Sequence, residues 1–174
     1  MTAPAWMTPL LHSVGSVSAA DLTRFPAPPD AEHRSAVLML LGESDGEPDV
    51  LLIERAHDMR SHAGQPAFPG GRVDDGDADV SATALREAEE ETGLDPSGVE
   101  VVAVLPDLFI PPSGFVVTPV LGWWGHPTPV YVKDPAEVAS VHRVPIAELA
   151  DPARRVRVRH PSGYVGPAFE VRGL

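Results

Sequence analysis

The chain contains no cysteine. That excludes thiolate nucleophiles, thiolate metal sites and disulfides together, and leaves oxygen and nitrogen groups to carry any chemistry. Long apolar runs are absent too. No stretch reaches the roughly 18 residues of a membrane span, and the N-terminus lacks a basic region ahead of an apolar core. These features read as a cytoplasmic protein with no membrane partner. Positive charge is scarce, with 13 Lys and Arg against 25 Asp and Glu, giving a formal net charge of −12. Such a surface argues against non-specific binding to nucleic acid or to anionic lipid. An anionic small molecule can still be handled if a divalent cation stands at the meeting point.

What is present suits one soluble domain: 174 residues, 43% of them hydrophobic. Residues 1–33 carry Pro4, Pro9, Pro26, Pro28 and Pro29 with little periodicity, and read as an arm laid over a domain spanning 34–174. A short helix is expected near Ala19–Arg24. Ala36–Leu41 and Val50–Glu54 are apolar runs separated by Gly42–Pro48, which predicts a β-hairpin with a long turn. Arg55 to Gly71 reads as loop. Asp79 to Thr92 reads as a helix, with Asp77 or Asp79 as cap, Gly93 at the left-handed position and Pro96 just beyond. Its apolar stripe is Ala84, Leu85 and Ala88. Strands are expected at Val99–Leu105, Phe115–Trp123, Val130–Val132, Ala139–Val144, Arg155–Arg159 and Ala168–Arg172, with a helical turn at Ile146–Leu149. The result is a mixed sheet with one central helix, and one helix cannot cover both faces. Either the N-terminal arm supplies the missing layer or the natural protein continues past Leu174 into a last helix.

The chemistry concentrates in Arg86-Glu87-Ala88-Glu89-Glu90-Glu91-Thr92-Gly93-Leu94. Four glutamates crowd the negative end of a helix dipole, and Glu87–Glu91 is a like-charge i, i+4 pair. Each effect costs a few tenths of a kcal/mol, up to about 1. Glu87, Glu90 and Glu91 fall on one face, whereas Glu89 points elsewhere. Three converging carboxylates make a hard-oxygen site suited to Mg²⁺ or Mn²⁺. Upstream, Phe68-Pro69-Gly70-Gly71 allows close backbone approach, and the Gly70 carbonyl is a further candidate ligand.

This arrangement resembles the Nudix box: a glycine, five residues, an acid, a spacer, then Arg-Glu-apolar-x-Glu-Glu-x-Gly-apolar. Gly71 is followed after five residues by Asp77, where glutamate is usual, and the tail from Arg86 to Leu94 matches in full. Leu51-Leu52-Ile53-Glu54-Arg55, Arg60, Gly64 and Phe68–Gly71 resemble the signature of the coenzyme A pyrophosphatase branch, with Ile53 in place of threonine. The two signatures span Leu51 to Leu94, and a weaker likeness runs through Phe115–Val120 and Glu137-Val138.

The resemblance implies an α/β fold, a mixed β-sheet sandwiched between helices. It also implies a metal-dependent diphosphatase that cuts coenzyme A and its derivatives into 3′,5′-ADP and 4′-phosphopantetheine or its acylated form. The alternatives are a Nudix hydrolase of a dinucleotide, ADP-ribose or a nucleotide sugar, and a Nudix-fold binding module without turnover. Glu87, Glu90 and Glu91 are the expected catalytic and metal-binding residues, joined by Gly70. The water's proton goes to one of the three or to a glutamate from a later loop such as Glu137. Arg86 is expected to pair with Asp77 or a helix glutamate. Arg55, Arg60, Gln65 and Phe68 are the expected substrate-binding residues, the arginines taking substrate phosphates. His57 and His62 read as loop polar groups, Trp123 and Trp124 as packing residues. The partner is a small nucleotide, not a nucleic acid, and a homodimer is the assembly that the resemblance implies.

Overall fold

The hairpin closes more tightly than the sequence suggested. Strand β1 runs His33–Ser44 and β2 runs Glu47–Arg55. Only Asp45 and Gly46 lie between them, both with positive φ of 53° and 79°. Two left-handed residues in succession form the hairpin turn whose twist matches the strands, so the expected long turn shrinks to two residues. The computed structural model describes residues 3–29, 31–58, 63–111, 113–159, 163 and 165–171.

The remaining strands are β3 (Pro66–Ala67), β4 (Gly70–Arg72), β5 (Val99–Val104), β6 (Leu108–Ile110), β7 (Phe115–Trp124) and β8 (Val138–Pro145). They join β1 and β2 in one mixed sheet, in which β1 pairs parallel with β7 and the other contacts are antiparallel. One side of β1 is taken by β7 along residues 33–41. The other side is shared: β2 pairs with residues 41–44 and β4 with residues 35–37. The hairpin strands therefore part beyond Leu41 and Val50. The returning segment fills the gap, β3 against β2 at Ile53–Glu54 and β4 against β1.

Alternation along the strands defines two cores. Ala36, Leu38, Leu40, Leu51, Val120 and Trp124 face helix α3 (Val80–Thr92), which contributes Ala84 and Ala88. Met39, Leu41, Val50, Leu52, Leu121, Trp123 and Val144 form the opposite core. That second face is covered by the N-terminal segment, through buried Met7 with Trp6, and by Leu11 and Val14 of α1 (Thr8–Val14). Ile146 and Leu149 of α4 (Ile146–Ala150) complete it. Helices thus lie on both faces, as the expected α/β sandwich requires, and the N-terminal segment supplies part of the layer that one helix could not. The Trp6 and Trp123 rings meet edge to face at 6.0 Å. Trp123 and Trp124 are both buried, which fits packing. The short N-terminal helix forms as α2 (Ala19–Leu22).

Two strand expectations need correction. Val130–Val132 is not a strand. Its backbone instead serves the end of α3, with Tyr131 N–H donating to the Thr92 carbonyl at 2.9 Å and Lys133 N–H to that of Glu91 at 3.1 Å. The last carbonyls of a helix have no partner within it, and this extended segment satisfies them. The final strand lies earlier than expected. It is β10 (Val165–Phe169), which pairs with β9 (Arg155–Arg159) in a separate two-stranded sheet.

Candidate active site

Helix α3 starts and stops where its chemistry dictates. The Asp79 side chain accepts from Ala82 N–H at the first turn, and Gly93 ends the helix at φ 67°. A Cβ on Gly93 would also run into the Tyr131 ring. Between these stops, Ala84 and Ala88 are fully buried against the sheet. That contact fixes the rotation of the helix and hence where its glutamates point.

Glu91 faces inward and is only 2% exposed. Its Oε2 accepts from the Gly70 amide at 2.9 Å, while Oε1 is buried without a hydrogen-bond partner. The ladder explains why Gly70 is available. Leu38 N–H donates to the Pro69 carbonyl at 2.8 Å and Val73 N–H to that of Arg34 at 3.1 Å. By antiparallel alternation the intervening Val37–Gly70 pair is non-hydrogen-bonded. Both the amide and the carbonyl of Gly70 therefore turn away from β1 into the gap. Burial pushes the Glu91 carboxyl up to about 8, against the favourable Gly70 hydrogen bond and the Arg55 charge, with Glu87 and Glu137 raising it further. Glu87 is raised too, chiefly by burial and against its bond from Arg86. A Cβ on Gly71 would overlap the Glu87 carboxylate, so this glycine makes room for that side chain.

Arg86 organises the neighbourhood rather than facing a ligand. Its Nε and Nη2 each donate to Asp77 at 2.9 Å, Nη1 to Glu87 at 2.8 Å and to Glu90 at 3.1 Å, and Nη2 to the Arg72 carbonyl at 3.0 Å. The planar fork fits Asp77 side-on. Asp77 is held well below the usual carboxylate range by Arg86, by backbone and by Thr83. Aspartate in place of glutamate therefore still reaches the arginine. Glu90 is 57% exposed and occupied by Arg86. It shares the helix face as its spacing requires, but stands at the outer edge. Glu89 points to Lys133, at 3.8 Å.

A cleft of about 630 Å³ opens beside these groups. It is lined by Arg55, Gln65, Phe68, Gly70, Gly71, Glu87 and Glu137, among others, so one concavity gathers most of the expected site residues. Phe68 serves two ends, since it also packs on the second core. Glu137 enters from the segment just before β8. Arg60 and His62 lie outside the described residues. His57 pairs with Glu54 at 3.4 Å. Ile53 is fully buried in β2, so the departure from threonine sits in the core rather than in the cleft.

The sequence reading missed Ser35, Arg72, Ile110, Ser113, Phe115 and Val117, which also line the cleft. Arg72 follows the glycine pair directly, and that adjacency was the available signal. Phe115 reaches the cleft only through the pairing of β7 with β1, which no local pattern announces.

Among the described residues no three His, Cys, Asp or Glu side chains alone enclose an ion. The donor set still fits a hard divalent cation. Glu91 has a buried oxygen without a partner, Glu87 lies beneath a side-chain-free glycine, and the Gly70 carbonyl, at a non-hydrogen-bonded ladder position, is not engaged by β1. Mg²⁺ commonly takes one or two carboxylates and completes its shell with water and substrate phosphate, so a closed cage is not needed.

Comparison with known proteins agrees with this geometry. The family model described as NUDIX domain matches residues 32–162. The chain is 46% identical over 116 residues to the uncharacterized Nudix hydrolase NudL of Shigella boydii serotype 4, covering 67% of this chain and 59% of that protein. A NudL from Escherichia coli O157:H7 matches equally well. The chain thus spans about three fifths of the length of these relatives. In fold it is similar to a Caenorhabditis elegans Ap4A hydrolase, with a TM-score of 0.56 at 21% identity over 67% of this chain and 82% of that one. It is also similar to the NUDIX domain of Shewanella oneidensis NrtR complexed with ADP ribose, with a TM-score of 0.55 at 21% identity over 77% and 86%. With its domain matched over most of its length and its glutamates gathered at the glycine pair, the chain belongs to the Nudix family.

Proposed function

We propose that this protein is a divalent-metal-dependent diphosphatase that hydrolyses coenzyme A and its derivatives to 3′,5′-ADP and 4′-phosphopantetheine or its acyl form. The observation that carries the diphosphatase reading is Glu91, a buried carboxylate with one oxygen on Gly70 and the other without a partner. A fold has no stabilising use for such a group. The coenzyme A assignment rests on the likeness of Leu51–Arg55 and Phe68–Gly71 to that branch of the family.

Glu87, Glu91 and the Gly70 carbonyl would hold Mg²⁺ or Mn²⁺, with Glu90 at the outer edge. The bound ion supplies neutralisation of diphosphate charge and a more acidic water. Arg55, whose charge already acts on Glu91, takes a diphosphate oxygen. Gln65 and Phe68 position the substrate beside it. A water oxygen attacks one phosphorus, the bridging P–O bond breaks, and the water's proton passes to a cleft carboxylate. That Glu137 lines the same cleft as Glu87 supports it as one candidate for this role, beside the helix glutamates. No helix of the described residues is long and apolar enough to cross a membrane. We read the protein as cytoplasmic and acting as a homodimer on a small nucleotide.

A second reading, hydrolysis of a dinucleotide, ADP-ribose or a nucleotide sugar, draws on the fold neighbours, one an Ap4A hydrolase and one complexed with ADP ribose. Incubation with Mg²⁺ or Mn²⁺ and coenzyme A, acetyl-coenzyme A, NADH, ADP-ribose or nucleoside triphosphates separates the two. Preferential release of 3′,5′-ADP supports the first. Turnover of another substrate with coenzyme A left intact overturns it.

A further inference from the structure

We infer that Arg72 and Phe115 recognise the 3′-phosphorylated adenosine half of the substrate, Arg72 taking the ribose phosphate and Phe115 stacking the base. The inference rests on the coenzyme A reading above and adds to it the residues that tell coenzyme A from unphosphorylated analogues.

The geometry comes from strand register. Ser35 pairs with Arg72 on one side and with Val117 on the other, and His33 pairs with Phe115. Residues paired across strands share a face. Ser35, Val117 and Phe115 fall on the sheet face away from α3, because Ala36, Leu38 and Val120 face that helix. Arg72 joins them on the cleft side. The small Ser35 lies between it and β7, and the Arg72 guanidinium extends over the Phe115 ring, 5.0 Å from its centroid. No carboxylate pairs with Arg72 among the described residues. Ile110 and Val117 give this end of the cleft apolar walls.

Charge then divides the cleft. Of the described residues lining it, only Arg55 and Arg72 carry fixed positive charge. The Arg55 charge acts on the Glu91 carboxyl from within the same cleft wall as Gly70, and we assign it to the reacting diphosphate. Arg72 lies on the far side of the glycine pair, about 7 Å along the strand from Gly70 at an ordinary strand rise. A ligand whose diphosphate sits at Gly70 and Glu91 would thus meet, beyond Gly71, the Phe115 ring, with the tilted His33 ring against it at 5.3 Å, and a guanidinium that has no carboxylate partner among the described residues. A flat base stacks on such a ring, and a dianionic phosphate is the natural partner of such a cation. An adenosine bearing a phosphate on its ribose presents both groups from one ring system.

The test compares kcat/KM for coenzyme A and for 3′-dephospho-coenzyme A in wild type, Arg72→Gln, Arg72→Lys and Phe115→Leu, with folding checked by thermal melting. Wild type is expected to prefer coenzyme A. Arg72→Gln brings the ratio of the two values down by about tenfold or more, the size of one lost charge-assisted contact, and Arg72→Lys restores part of it. Phe115→Leu weakens both substrates together, mainly through KM. Equal loss on the two substrates in Arg72→Gln, or no wild-type preference, overturns the assignment while leaving the diphosphatase reading intact. No release of 3′,5′-ADP by wild type overturns the coenzyme A reading and this inference with it.

Discussion

The Gly70 amide and the Glu91 carboxylate meet at 2.9 Å across twenty-one residues of sequence, joining the glycine turn to the last turn of the acidic helix. The bond leaves Glu91 Oε1 buried without a hydrogen-bond partner. Glu91→Gln keeps the side-chain volume and can still accept from Gly70, but offers no charge. We expect turnover with Mg²⁺ or Mn²⁺ to fall by roughly two orders of magnitude or more, the scale of losing a metal-site carboxylate, with the fold intact by circular dichroism. Near-normal turnover in a folded variant would falsify the proposed site.

The same carboxyl makes the metal-free protein sensitive to alkali. Burial raises Glu91 to about 8, above its value in the unfolded chain. The folded state then binds that proton more tightly, so the contribution to stability is full below about pH 4 and is lost as pH climbs through about 8. In chelator, wild type should melt at a lower temperature at pH 8.5 than at pH 6. Glu91→Gln should flatten that slope. Melting curves across the range check this, and equal slopes in both proteins remove Glu91 as the source.

Gly71→Ala probes the space above Glu87. The added Cβ overlaps the carboxylate, so either the strand or Glu87 must move. Divalent-metal affinity by calorimetry should weaken at least about tenfold, as when a supporting contact around a metal site is lost. Unchanged affinity and turnover show that the glycine is not needed for the position of Glu87.

Arg86 carries the heaviest structural duty in the site. Replacing it leaves Asp77, Glu87 and Glu90 without a shared cation. Arg86→Ala is expected to lower stability by about 1–3 kcal/mol, the scale of leaving half-buried hydrogen-bonding partners unsatisfied. Arg86→Lys should recover little, because an ammonium cannot reproduce the side-on fork to Asp77. Urea denaturation measures both. A loss below about 0.5 kcal/mol, ordinary for a surface charge, contradicts the role.

Helix α3 was legible because its evidence is local: Asp79 caps it, Gly93 ends it, and the alanine stripe meets the core. The glutamates were legible to one level only. Spacing gives the direction in which a side chain leaves a helix, which placed Glu87, Glu90 and Glu91 together and Glu89 apart. It does not give neighbours, so it could not show Glu90 bound by Arg86 at the edge while Glu91 is enclosed. Long-range pairing was invisible for the same reason. Ser35, Arg72 and Phe115 meet only because β4, β1 and β7 lie side by side. Val130–Val132 shows the opposite error, a β-like run whose partner is a helix end.

Of helix α3 only Glu87 lines the cleft, reaching it past the side-chain-free Gly71, whereas Arg72, Phe115 and Val117 line the cleft from the strands. On the proposed function, the groups that would choose a ligand and most of the acids that would act on it therefore come from different elements. Substitutions at Arg72 or Phe115 would then change the preferred ligand while the helix and its glutamates stay as they are.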